Sequence, residues 1–113
     1  MREDIKINDR AAEFSEAIIE RLQKVNDPEL ELDIYNLGLI YELNLDENDQ
    51  LTVVITFTEM VCGCIESMPV DIKAALQDLP GIKAVDVQIV WSPRWNMKRI
   101  SRLGRMALGI SVH

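Results

Sequence analysis

Between Leu51 and Leu79 the spacing of apolar residues changes from every second position to every third or fourth, and both cysteines stand at the change. Leu51, Val53, Ile55 and Phe57 alternate with Thr52, Val54, Thr56 and Thr58, a half-buried strand favoured by its β-branched content. Ile65, Met68, Ile72, Ala75, Leu76 and Leu79 then fall on one face of a helix that Pro80-Gly81 ends. A thiol at such a junction is positioned by two rigid elements and lies near a helix N-terminus. Unpaired amide N–H groups and the helix dipole there favour negative charge, which lowers a cysteine pKa and supplies thiolate for nucleophilic attack or metal ligation. Pro69 leaves the helix start open. Either Ser67 caps the helix with Pro69 in the first turn, or the helix starts at the cysteines and bends, which puts Cys62 and Cys64 on its N-terminus.

The remaining elements follow from the same periods. Asn8 or Asp9 caps a helix running to about Val25, with Phe14, Ile18, Leu22 and Val25 on one face. Asn26-Asp27-Pro28-Glu29 stops it. Residues 30–38 are too irregular to assign, and Gly38 allows a turn or close approach before the next strand. Leu39, Tyr41, Leu43 and Leu45 alternate with Ile40, Glu42 and Asn44, and this strand pairs antiparallel with the next across the polar loop Asp46–Gln50. Ile82 to Trp91 forms a third strand with Val85, Val87, Ile89 and Trp91 on one face. After a Ser92-Pro93-Arg94-Trp95 turn, Asn96 caps a short helix holding Ile100, Leu103, Met106 and Ala107, weakened by Gly104 and ended by Gly109. The expected fold is α+β: a small two-layer domain over 1–113, in the order α-β-β-α-β-short α, an antiparallel hairpin plus a third strand covered by helices.

Charge and length exclude several classes. No apolar run approaches the ~20 residues of a membrane span, and the charged N-terminus Met1-Arg2-Glu3-Asp4 lacks a signal-peptide core. A cytoplasmic location is the default, so the two cysteines are read as free or metal-linked rather than as a structural disulfide. The chain carries −7, yet five cations (Arg94, Lys98, Arg99, Arg102, Arg105) and no acid follow Asp86, so the remainder carries −12. An acidic body argues against non-specific nucleic-acid binding. The basic tail either pairs with the acidic body or faces solvent, or it is a docking strip for an acidic partner.

Cys62-x-Cys64 supplies two thiolates, whereas a closed zinc site needs four ligands and an iron–sulfur cluster usually uses four thiolates. Two chains in a homodimer could pool them, or a cluster could be held transiently with a partner's thiols. Asp27, Glu29 and Asp33 add oxygen ligands if the fold brings them near. The blander reading is a small buried hydrophobe, more so for Cys64 than for Cys62. The blander reading of Asp27 and Glu29 is that they only terminate the first helix, and of Thr56 and Thr58 that they only form a strand. Cys/His catalysis is disfavoured because the only histidine is His113, and a Cys62–Cys64 redox pair would close a strained ring. Trp91 and Trp95 read as core plus rim, or Trp95 as an exposed interaction anchor.

Taken in order, these motifs resemble a known family. Asp27-Pro28-Glu29 followed by Asp33-Ile34-Tyr35-Asn36-Leu37-Gly38-Leu39-Ile40-Tyr41 resembles the signature of the SufT/PaaD-like family, whose members are linked to iron–sulfur protein maturation. Thr56-Phe57-Thr58 followed by Cys62, and Val90-Trp91-Ser92-Pro93-Arg94-Trp95 with its closing Ala107-Leu108-Gly109, resemble the family's other segments. The resemblance covers roughly Phe14 to Gly109. It implies a compact α+β fold and a non-enzymatic accessory role in assembling or delivering iron–sulfur clusters, with the assembly machinery and apoprotein clients as partners. Cys62 maps to the family's reactive cysteine, a ligand or transfer contact for a transient cluster or iron, and Asp27, Glu29 and Asp33 map to its acidic signature. The PaaD relatives usually carry a cysteine-rich tail, and its absence before His113 favours the SufT-like branch. Val61 and Gly63 replace a common Gly and Pro, Arg94 a common second Pro, and Cys64 is not a usual family residue.

Overall fold

The computed structural model describes residues 5–27, 32–57, 64–92 and 94–109. Their elements run β1 (Lys6–Ile7), α1 (Asp9–Glu13), α2 (Ser15–Leu22), β2 (Asn26–Asp27), β3 (Leu32–Asp33), α3 (Ile34–Leu37), β4 (Ile40–Leu45), β5 (Gln50–Ile55), α4 (Cys64–Leu76), β6 (Ala84–Ile89), a 3₁₀ turn (Met97–Arg99) and α5 (Arg102–Leu108). The α+β class is the expected one, and to the expected hairpin and third strand the structure adds β1, giving a four-stranded sheet in the order β1-β4-β5-β6, and a separate β2-β3 ribbon. The hairpin β4-β5 is antiparallel. Strand β6 returns parallel to β5 after α4, and β1 lies parallel to β4.

The register explains the core. Leu43, Val53 and Val87 form one cross-strand row, Leu45, Leu51 and Val85 the next, and Ile40, Ile55 and Ile89 the last. These rows face one layer of helices, from which Ile18, Leu22, Met68, Ile72 and Leu76 enter fully buried or nearly so. The opposite face carries Lys6, Glu42, Val54 and Gln88 in one row and Asn44, Thr52 and Asp86 in another.

The structure departs from the sequence expectations in four places. The first helix is two: Asn8 caps α1 through Ala11 N–H (3.0 Å), and the chain then breaks at Phe14. The Phe14 N–H donates to the Ala11 carbonyl (3.1 Å), a tightened turn, and its ring lies against Gly81, where a Cβ would come within 2.7 Å. Strand β4 does not alternate from Leu39, since Leu39 and Ile40 are both buried. The pairing shifts between Ile40↔Ile55 and Glu42↔Val54, so Tyr41 is the extra residue of a bulge. The third strand ends at Ile89, leaving Trp91 beyond it. The C-terminal helix is a 3₁₀ turn followed by a separately capped α5, with Leu103 and Met106 exposed. The Ser67 cap considered from sequence is excluded: α4 is already helical at Cys64 and contains Pro69, which has no N–H to give the carbonyl one turn before it.

Segment 32–38, unassigned from sequence, forms β3 and one turn of helix. Asp33 caps α3, and Gly38 closes it at φ 76°. A Cβ on Gly38 would sit 2.4 Å from the Arg99 carbonyl oxygen, so the C-terminal segment passes directly over this glycine. Gly109 has the same left-handed backbone (φ 74°) with nothing within 4 Å. Gly38→Ala should therefore lower stability in urea unfolding by about 2–4 kcal/mol, strain plus clash. Gly109→Ala should cost about 1 kcal/mol, strain alone. Equal losses would contradict the close approach.

Candidate functional site

The site is built outward from Asp33. Its side chain accepts from the Asn36 backbone N–H (2.9 Å) and from the Asn36 Nδ2 (2.8 Å), satisfying donors of the first turn of α3. Asn36 is 8% exposed, and its Oδ1 accepts from Ser101 Oγ at 2.6 Å. The Asn36 carbonyl accepts from the Ser101 N–H (2.7 Å), and Ser101 in turn caps α5 by accepting from the Gly104 N–H (3.0 Å). One hydrogen-bonded chain thus joins the cap of α3 to the cap of α5. Gly104 completes the seam: a Cβ there would lie 2.8 Å from Leu32 and 3.3 Å from the Asn36 carbonyl oxygen.

The next turn of the C-terminal segment is fastened to the same motif. Trp95 Nε1 donates to the Leu37 carbonyl (2.8 Å), and the half-buried ring packs against the core. Trp95 is therefore part of the fold and not the exposed anchor considered from sequence. Arg99 Nε donates to the Gly38 carbonyl (2.7 Å), Nη2 to the Ile40 carbonyl (3.1 Å), and the guanidinium lies 4.2 Å from the Tyr41 ring centroid. The bulge aims Tyr41 at the open face of the sheet, where it meets Arg99. There Lys6, Tyr41, Glu42, Val54 and Arg99 help line a cleft of about 290 Å³. Burial pushes the Tyr41 phenol above its ordinary pKa, while the Arg99 charge and a side-chain hydrogen bond with Thr56 pull the other way.

Strand β5 leaves the sheet at this same end. The Thr56 N–H donates to the Leu39 carbonyl (2.9 Å), and the Val90 N–H donates to the Ile55 carbonyl (2.9 Å). Thr56 and Phe57 are buried, and the Phe57 ring lies 5.8 Å from that of Trp91, which is 41% exposed. Segments 36–41, 56–57, 90–92 and 94–99 therefore converge at one end of the sheet, and the chain continues from residue 57 toward the cysteines.

Of the residues singled out from sequence, Asp33, Asn36, Gly38, Thr56, Trp91 and Trp95 are in this region. Asp27 is brought close in backbone, since β2 and β3 pair Asp27 with Leu32 and Asn26 with Asp33. Cys64 is the first residue of α4. Cys62, Glu29, Thr58 and Pro93 lie outside the described residues. Among the described residues, no group of three or more His, Cys, Asp or Glu side chains is placed to hold a metal. Tyr41 stood in the signature and Arg99 in the basic tail, but their contacts with each other and with the α3 end, and the role of Ser101, were not foreseen from sequence. Only Ser101 left a local signal, as a cap-type residue just before a helical run.

A family model described as iron-sulfur cluster assembly protein matches residues 15–89. The chain belongs to this family. It is 42% identical over 97 residues to the Fe-S protein maturation auxiliary factor YitW of Bacillus subtilis, covering 86% of this chain and 95% of that protein. It is also 42% identical over 87 residues to the Fe-S protein maturation auxiliary factor SufT of Staphylococcus aureus, covering 77% of this chain and 99% of that one. The fold is shared with the crystal structure of a domain of unknown function from Bacillus anthracis, at a TM-score of 0.81 and 36% identity over 88% of this chain and 95% of the other. The resemblance read from the separated motifs is thus borne out, and the chain is a SufT-like member of the family.

The raised Tyr41 pKa has a sign that can be tested. Below pH ~10, both folded and unfolded tyrosine are neutral and the contribution is fully present. As pH rises, the unfolded phenol ionises first, so stability is lost until the folded Tyr41 ionises. Tyr41→Phe should reduce the alkaline loss of stability in urea unfolding across that window. An alkaline slope identical to wild type would contradict this environment.

Proposed function

We propose that the chain is a non-catalytic accessory factor that accepts iron or an iron–sulfur cluster as cargo through Cys62 and passes it to apoproteins. The observation that carries the reading is the convergence at one end of the sheet. The segments of the family signature meet there, the chain runs on through Cys62, and α4 opens at Cys64. Two thiolates form an open ligand set, suited to exchange because a partner's ligands must complete it. A second copy of the chain could complete it in the same way, and a homodimer formed on loading belongs to the proposal. Asp27, Glu29 and Asp33 are its candidate oxygen donors. Asp33 would serve while still capping α3, since each carboxylate oxygen keeps a second lone pair. The partners are iron–sulfur assembly proteins and apoprotein clients, met in the cytoplasm as part of a single-domain chain.

The test is anaerobic reconstitution of wild type, Cys62→Ser and Cys64→Ser with ferrous iron and sulfide, followed by transfer to an apo-ferredoxin. Wild type should restore the ferredoxin spectrum. Cys62→Ser should slow transfer by at least about tenfold, with a smaller loss for Cys64→Ser. Equal transfer by wild type and Cys62→Ser would remove the thiol from the mechanism. A separate reading, recruitment through the basic C-terminal segment, is favoured by the surface of α5.

A further inference from the structure

Helix α5 turns Gly104 inward, against Leu32 and the Asn36 carbonyl, and turns its apolar side chains outward. Leu103 is 67% exposed and Met106 63%, three positions apart on one face, with exposed Ala107 beside them. Cations share the helix with this stripe: Arg102 stands four positions before Met106, and Arg105 lies between Leu103 and Met106 in sequence. Arg94, Lys98 and Arg102 are exposed, and Arg105 is half-buried with its Nη2 donating to the Lys98 carbonyl (3.0 Å). Among the described residues the ion pairs are Arg10–Asp49, Arg21–Asp78 and Lys83–Asp49, so none of these four cations pairs with a described carboxylate. Whether the basic tail folds back on the acidic body was open from sequence; here Arg94, Lys98 and Arg102 are exposed. The stripe is also presented ready-made, on a helix capped by Ser101 at one end and Gly109 at the other.

We propose that this face of α5 docks an acidic segment of a partner protein, one that carries apolar side chains at helical spacing between its carboxylates. Leu103 and Met106 supply the apolar anchors, and Arg102 and Arg105, with Lys98 at the Arg105 guanidinium, supply charge complementarity and orientation. The charge of the rest of the chain narrows the occupant. A broad polyanion, such as a nucleic-acid duplex or an anionic bilayer, would meet the −12 of the remaining surface as well as the strip. Two copies, each at −7, repel at long range. A peptide-like segment is narrow enough to meet the strip alone. This inference is independent of what Cys62 does.

The probe is a fluorescein-labelled synthetic peptide with leucines at every third and fourth position and glutamates elsewhere, followed by fluorescence anisotropy. Binding is expected. It should weaken by on the order of tenfold with Arg102→Glu, by a similar factor with Leu103→Ser/Met106→Ser, and between about 0.05 and 0.5 M salt. All of these side chains are exposed, so the variants should keep the wild-type thermal midpoint. Cys62→Ser should bind the peptide like wild type, which separates failure here from failure of the cluster proposal. The inference is overturned if the acidic peptide does not bind, if a lysine-for-glutamate version binds equally well, or if neither variant weakens binding. It is also overturned if Leu103→Ser/Met106→Ser abolishes a wild-type dimer, which would make a second copy the occupant. Arg102-dependent binding to phosphatidylserine vesicles would instead make a membrane the occupant and overturn it as well.

Discussion

The Asn36 side chain is the contact on which the rest of this arrangement depends. It is almost fully buried, donates to the Asp33 carboxylate and accepts from the Ser101 hydroxyl. A buried amide left without partners costs about 1–3 kcal/mol, so Asn36 requires both neighbours to be in place. Those neighbours cap two different helices, α3 and α5. The local order of segment 33–38 and the position of the C-terminal segment are therefore set by one network. Trp95 and Arg99 extend it by binding the carbonyls of Leu37, Gly38 and Ile40, groups that the end of α3 and the bulged start of β4 would otherwise leave to solvent.

This network assigns a physical role to much of the family signature. Asp33, Asn36 and Gly38 are cap, bridge and left-handed closure of a four-residue helix, and together they form the platform on which the C-terminal segment lies. The platform also fixes where β5 ends, because Leu39 holds the Thr56 amide. A chain leaving a sheet at a fixed point, with α4 helical from Cys64 to Leu76, would be a suitable mount for the thiol in the proposed role. The basic, partly apolar face of α5 rides on the same platform, so cargo handling and partner recognition would be held in one rigid frame.

Much of the frame was legible in the sequence because it rests on local periods. The hairpin of β4 and β5, the helix after the cysteines and the caps at Asn8 and Gly109 all follow from spacing and capping chemistry. What was not legible depends on contacts far along the chain. The break at Phe14 is tied to Gly81, and the burial of both Leu39 and Ile40 follows from a bulge whose extra residue, Tyr41, is held by Arg99 and Thr56. Strand β1 is two residues long, too short to show any period. Periodicity also gives a strand without its partner, so the parallel addition of β6 to β5 had no local signature. For the site, motif order identified the family, but the roles of Trp95, Arg99 and Ser101 emerge only once segments 33–41 and 95–104 are seen against each other.

Through Asn36, the Asp33–Tyr41 segment supports the C-terminal segment. Native-state amide hydrogen exchange of Asn36→Ala, compared with wild type, tests it most directly. Protection of the α5 amides around Gly104 and Arg105 is expected to fall by on the order of tenfold or more, while amides of the central strand β5 keep theirs. Unchanged protection in α5, or an equal loss throughout the sheet, would contradict it.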